Sequence, residues 1–352
     1  MMRRFKSGAV VVLAVVALPG AAAAQVYPER ILAREKVRTV VAAYQQRRDS
    51  NAREEQVDRT TRTLKLGANG VLALANIAGD IVVTRGGGSD VTVEIVKTAR
   101  ARDANEAREQ LQLVQVEVTE RAGRADVRAR YPNNEGRNNR RNINVSVAYT
   151  VTAPAGTRLA IDSISGTVKI TDIKGDVSAN TISGDVRISG AARISAAKTI
   201  SGMVEIVDAQ TDGALESGSV SGDVILRRVN ARRLEASSVS GNIKLDDVQC
   251  ERVDANSTSG NVSFTGPLAS GGRYDLNSFS GEIRLMISGS TGFQVDANSF
   301  SGNISTGDLA ITTRGTNGGR RGRRTELSGT YGDGSAVLDL TTFSGSIVIS
   351  KR

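Results

Sequence analysis

The chain has 352 residues, a formal net charge of +9, 37 glycines, 39% apolar residues and only 3% aromatic ones. With neither His nor Trp, it is excluded from His-based acid–base catalysis, Ser-His-Asp triads and His-ligated metal sites. A single cysteine, Cys250, excludes an intramolecular disulfide and a Cys-rich zinc site, and the expectation is that it packs as a small apolar residue.

The first residues carry Arg3, Arg4 and Lys6, then an apolar run from about Ala9 to Leu18, then small residues to Ala24. This order reads as a secretory signal peptide over 1–24. The apolar run falls short of the roughly 20 residues a spanning helix needs, so no transmembrane span is expected in the mature chain. Removing three basic residues from +9 leaves +6. The expected location is outside the cytoplasm: periplasm, outer surface or extracellular.

Residues 25–63 follow as an N-terminal helix and a polar linker. Pro28 suits a first helical turn, Ala33, Val37, Val40, Val41 and Tyr44 recur at helical spacing, and 49–63 is charged without an apolar period. From about Leu64 the period becomes two, which predicts a β-rich region over 64–152 with a turn at Gly86–Gly88. Within it, DANEAREQLQLV predicts a short helix capped by Asp103. NNEGRNNRRN, residues 133–142, reads as a basic loop carrying Arg137, Arg140 and Arg141.

Residues 153–352 hold the strongest signal, a repeat. Ser-Gly recurs at Gly166, Gly184, Gly202, Gly222, Gly241, Gly260, Gly281, Gly302 and Gly345, spaced by 18–21 residues until a last interval of 43 that reads as two turns with an insertion. Two residues after each Gly stands Val or Ile, and a second apolar residue usually follows two further on, as successive inward positions of a short strand. Another strand precedes each Ser-Gly, as in LAIDSISG, where alternate residues run apolar, small, then Ser or Thr. A repeat of about 20 residues cannot bury its own apolar face, but stacked copies share a core. The fold class read from this is all-β, a parallel β-solenoid with turns of about 20 residues, with a twisted β-sandwich as the competing arrangement.

The repeat, with VAYTVTAPAGTRLAIDSISGTVKI before the SGDV and SGNI turns and LDLTTFSGSIVI after them, resembles the bacterial family of exported β-strand-repeat proteins called putative adhesins, whose function is unknown. The resemblance spans about residues 66–352 and implies an envelope-associated solenoid. It brings no catalytic motif and no cofactor.

Three groups of residues invite a functional reading. Asp172, Asp208, Asp246 and Asp247 follow the second strand of their turns and would serve a glycan-cleaving enzyme if they converged, although solvated corners explain them as well. RGTNGGRRGRR, within an insertion at 313–328, places Arg314, Arg320, Arg321, Arg323 and Arg324 together without an acid. With Arg137, Arg140 and Arg141 they are candidates for binding a polyanion: acidic polysaccharide or anionic lipid headgroups. An envelope protein is the remaining candidate partner, and the signal peptide argues against nucleic acid. Finally, the residue inside Ser-x-Ser-Gly runs Ile164, Ile182, Ile200, Val220, Val239, Thr258, Phe279, Phe300 and Phe343. Counted from the Gly, its parity matches the inward Val and Ile, which predicts a buried corner stack; the opposite orientation would lay an apolar stripe along the surface. The function expected is that of a non-enzymatic adhesin-like or structural scaffold at the cell envelope, with a solenoid glycan-cleaving enzyme or an envelope-stress sensor as alternatives.

Overall fold

The computed structural model describes residues 54–132, 143–313 and 325–352. The expected signal peptide, the expected helix that begins at Pro28 and both basic segments lie outside the described residues. Among those described, no helix is long and apolar enough to cross a membrane.

The N-terminal part comprises β1 (Glu54–Leu64), β2 (Val71–Ala78), β3 (Ile81–Arg85), β4 (Val91–Ala101), α1 (Ala104–Leu113), β5 (Gln115–Arg121), β6 (Arg124–Arg130) and β7 (Val145–Ala153). The helix starts where the sequence places it. The Asp103 carboxylate accepts from the backbone N–H groups of Asn105 at 2.9 Å and Glu106 at 2.8 Å, satisfying two donors of the first turn. The expected linker, by contrast, is a strand from Glu54 on. It shows no apolar alternation because β1 is held across β4 by charge, through Arg59–Glu94, Lys97–Asp58 and Arg100–Glu55, and only Leu64 is buried.

The repeat forms β8 (Arg158–Ser165), β9 (Val168–Thr171), β10 (Asp176–Ser183), β11 (Val186–Ser189), β12 (Arg193–Ser201), β13 (Val204–Ser221), β14 (Val224–Ser240) and β15 (Ile243–Asp246). It continues through β16 (Gln249–Ser259), β17 (Val262–Pro267), β18 (Arg273–Ser280), β19 (Ile283–Ser288), β20 (Phe293–Ser301), β21 (Ile304–Ser305), β22 (Thr312–Thr313), β23 (Thr325–Tyr331), β24 (Ala336–Ser344) and β25 (Ile347–Lys351). Each rung is a strand, a Gly corner and a second strand, and successive rungs pair in parallel, Val168 beside Val186 beside Val204 beside Val224. All four of these valines are fully buried. Like residues therefore stack on like, and the core is continuous from Leu72 to Ile349.

The whole is all-β and solenoid-like, but its strands are mixed rather than uniformly parallel. Antiparallel pairs stand at both ends, β1–β4–β7 and β5–β6 at one, β20–β23 and β22–β23 at the other. A rung at the end of a parallel stack would leave its ladder groups unpaired, and these strands cover it. Chain order and spatial order also part company. The Gly345 rung (β24, β25) lies between those of Gly281 and Gly302, because β24 pairs with both β18 and β20. The 43-residue interval is thus an excursion through the end cap followed by a return into the stack.

At the corners, backbone meets backbone. A Cβ on Gly241 would stand 2.2 Å from the Gly222 carbonyl oxygen, and one on Gly222 would stand 2.0 Å from that of Gly202. Gly241→Ala should therefore cost roughly 1–3 kcal/mol, whereas Gly213→Ala, with nothing within 4 Å of the added carbon, should stay within about 0.5 kcal/mol of wild type. Val224→Asp, which strands a charge in the core, should cost several kcal/mol, of the order of 3 or more. Denaturant midpoints of the three variants check the assignment; equal stability of Gly241→Ala and Gly213→Ala would contradict it.

Candidate functional surface

The motif Ser-x-Ser-Gly is built from the core outwards. Its first hydroxyl points inward and donates to the corner Gly carbonyl of the neighbouring rung: Ser219 to Gly202 at 2.9 Å, Ser238 to Gly222 at 3.1 Å, Ser257 to Gly241 at 3.0 Å, Ser278 to Gly260 at 2.9 Å. The residue after the Gly ties rungs a second time, since Asp223 Oδ1 accepts from the Asn242 N–H at 2.8 Å and Asn242 Oδ1 from the Asn261 N–H at 3.0 Å. Ser163 and Thr181, in the first two rungs of the repeat, are exceptions: their hydroxyls are buried without a hydrogen-bond partner among the described residues.

With Leu159, Ile161 and Ser163 all inward, Ile164 must point out, because side chains alternate along a strand. The expected buried corner stack is therefore wrong. The next inward residue after Ser163 is Val168, an odd step of five, so the Ser-Gly corner resets the alternation and parity cannot be carried across it. Phe279 is 58% exposed, and Ile164, Ile182, Ile200, Val220, Val239, Phe300 and Phe343 are each 46–49% exposed.

In spatial order the stripe runs Ile164, Ile182, Ile200, Val220, Val239, Thr258, Phe279, Phe343, Phe300. Ile77 on β2 extends it by one rung. The phenylalanine rings stack face to face, Phe279 on Phe343 at 4.9 Å and Phe343 on Phe300 at 4.7 Å, so solvent meets their edges. A cavity of about 530 Å³ lies over Ile77, Ile164 and Ile182, bordered by Arg128 and Arg130, and one of about 630 Å³ over Ile200, Val220 and Val239.

Four residues before each stripe position, on the same outward face, runs a second ladder. Its rungs are Ala73, Ala160, Ser178 and Ala196 at the aliphatic end, then Glu216, Glu235, Asp254, Asp275, Asp339 and Asp296. Arginines partly neutralise it, Arg233 on Asp254 at 3.4 Å and Arg273 on Asp275 at 3.1 Å. Partial burial and the carboxylates of Asp275 and Asp296 nevertheless hold the Asp339 carboxyl above its usual range, against the pull of Arg273.

The sequence candidates fall elsewhere. All eight arginines proposed for polyanion binding, Arg137, Arg140, Arg141, Arg314, Arg320, Arg321, Arg323 and Arg324, lie outside the described residues. Of the four aspartates, Asp172 and Asp247 directly follow β9 and β15, Asp246 ends β15 and Asp208 lies within the long β13. Asp172, Asp208 and Asp247 have φ of 54–57°, a left-handed turn that Asp tolerates, and Asp208 is engaged by Arg228 at 2.6 and 3.0 Å. That bidentate bond holds the Asp208 carboxyl below its usual range. Among the described residues, no three of His, Cys, Asp and Glu are grouped to hold a metal ion. Cys250 is buried, and burial pushes its thiol up to about 12.

Ile77 is the stripe residue that the repeat count misses. Its rung reads Asn-Ile-Ala-Gly, with Asn76 inward in place of Ser and its Nδ2 donating to the carbonyls of Gly79 at 2.9 Å and Val147 at 2.8 Å. The signal that would have found it is Gly79-x-Ile81-x-Val83, the same spacing that follows every later corner but Gly302.

Residues 71–350 match the family described as Toastrack DUF4097, and the chain belongs to that family. Among solved structures it is similar to a putative adhesin from Bacteroides fragilis NCTC 9343, at 15% identity over 84% of this chain and 97% of that one, with a TM-score of 0.41. It is also similar to a putative lipid binding protein from Parabacteroides distasonis ATCC 8503, at 15% identity over the same shares and a TM-score of 0.43. A putative adhesin from Parabacteroides merdae ATCC 43184 shares 10% identity over 84% of this chain and 96% of that one, with a TM-score of 0.37. No curated protein matches the chain.

Asp339 and Asp208 should respond to pH with opposite signs. A raised folded-state pKa means that the folded chain holds the proton more tightly, so the ionised Asp339 works against folding at neutral pH. Asp339→Asn should therefore melt higher than wild type at pH 7, with the difference vanishing once pH falls below the ordinary aspartate range. Asp208 is depressed, so its contribution is present above the ordinary aspartate value and is lost as pH falls through the folded one; Asp208→Asn should melt lower than wild type at pH 7 and equal to it in acid. Thermal melts of both variants across this range check the signs.

Proposed function

We propose that this member of the Toastrack family is a non-enzymatic, exported scaffold of the cell envelope that makes adhesin-like contacts through the apolar stripe of its stacked rungs. The observation that carries this reading is the stripe itself. Large apolar side chains half exposed on one straight line form a patch on the order of 700 Å², at or above the 300–600 Å² of the largest patch on an ordinary monomer. A stack of identical corners could have placed Ser or Asn there at no cost to the core.

The surface has the form of a contact line rather than a reaction site. Its phenylalanines present edges, its neighbouring carboxylates are spaced one per rung along the sheet, and several are already neutralised by arginine. The signal-peptide pattern at 1–24 supports export, and the chemistry of the arginine segments at 137–141 and 314–324 supports a supplementary, salt-sensitive attraction to acidic polysaccharide or anionic headgroups.

Adherence of cells producing the protein tests the reading and separates its two parts. Changing Phe279, Phe300 and Phe343 together to Ser should leave the melting temperature within a few degrees of wild type and reduce adherence severalfold at any salt. Changing Arg320, Arg321, Arg323 and Arg324 together to Ser should remove only the fraction of adherence that is lost at high salt. Full adherence by the triple Phe variant would overturn the stripe as contact surface.

A further inference from the structure

The stripe has a period, and the period discriminates between occupants. Ring centroids along it are 4.7–4.9 Å apart, the spacing of hydrogen-bonded strands. An α-helix laid along it repeats every 5.4 Å. It would slip by roughly 0.6 Å per rung and lose register by about one rung over the ten, so only part of the stripe could be filled. A surface with the same period fits throughout, and the chain itself carries one.

Resting on the reading of the stripe as the contact surface, we infer that its occupant is the stripe of a second copy of this chain, with the two stacks antiparallel. Orientation follows from size and charge. The stripe is aliphatic at one end and aromatic at the other, so parallel pairing would set phenylalanine against phenylalanine at one end and leave isoleucine against isoleucine at the other. Antiparallel pairing sets Phe279 opposite Ile182, Phe343 opposite Ile164 and Val220 opposite Val239, keeping the two faces at one separation along their length. The same two-fold operation lays the carboxylates of Asp254, Asp275 and Asp339 over Ala196, Ser178 and Ala160 of the partner copy's equivalent ladder; like charge meets only at the centre, Glu216 over Glu235, where Lys198 already pairs with Glu216.

The area is adequate. A stable interface takes about 800 Å² per partner, and the stripe with the mostly uncharged row beside it, whose charged members are Asp162 and Lys198, offers an area of that order. The contact is isologous, so it closes at two copies.

Sedimentation of the purified chain over a wide concentration range tests the pairing. Wild type should reach twice the monomer mass, and Val220→Lys, at an exposed position, should weaken dimerisation at least tenfold with an unchanged melting temperature. Phe279→Ser gives a second, uncharged disruption. Orientation is read by cross-linking: Ile164→Cys and Phe343→Cys should form a mixed disulfide dimer when combined and none when either is alone, since Cys250 is buried. A chain that stays monomeric at every concentration overturns the pairing, and if the triple Phe variant still fails to adhere, the stripe stands as contact surface for a different occupant. A dimer that survives Val220→Lys and Phe279→Ser overturns the site, and self-linking of either single Cys variant overturns the antiparallel arrangement.

Discussion

Everything in this stack depends on how closely two backbones approach at the Ser-Gly corner. From Gly166 to Gly345, each corner glycine stands where any side chain would meet the carbonyl of the adjoining rung's glycine at 2.0–2.3 Å. Because the corners superpose this tightly, the strands on either side are locked into one register, and each position in the turn becomes a continuous row. From Thr199 onwards the inward Ser or Thr completes the lock by donating to that same carbonyl from the core side. The cost of burying a hydroxyl is met at the same atom that the glycine leaves accessible.

A structure made of rows amplifies whatever each row carries. One exposed isoleucine would be unremarkable on any protein surface. Repeated through nine rungs with a single Thr258 among them, it becomes a line, and three of its members become a phenylalanine stack. The same amplification gives the carboxylate ladder, where partial burial and then the carboxylates of adjacent rungs disfavour Asp339 as an ion. The ends of the stack are treated differently. Antiparallel strands cover them, and the outermost, β1, is dense in charged residues that discourage edge pairing. Growth end to end is opposed, while among the described residues the stripe on the long face stands half exposed.

Much of this was legible in the sequence, and what was not has identifiable causes. The Ser-Gly spacing fixed the rungs and the inward Val and Ile because a period-two pattern after each glycine has one interpretation once a shared core is required. Asp103 marked the helix start through ordinary capping chemistry. The orientation of the stripe is not legible from the Gly side, because the corner resets the alternation; from Leu159, Ile161 and Ser163, Ile164 falls outside. The first rung was missed because Asn76 replaces the serine, doing the same hydrogen bonding with an amide. The place of the Gly345 rung between Gly281 and Gly302 is invisible to spacing, since its register would suit a continued stack equally well. Strand β1 was hidden by its own chemistry, charge pairing having replaced the apolar alternation by which strands are recognised.

The central claim is that the corner geometry turns these side chains outwards, and residue-resolved hydroxyl-radical footprinting measures that most directly. At a dilution where the chain is monomeric, Phe279, Phe300 and Phe343 should oxidise many times faster than Phe264 and Phe293, which are 0% and 1% exposed. Equal protection of all five at that dilution would place the first three in the core and contradict the account.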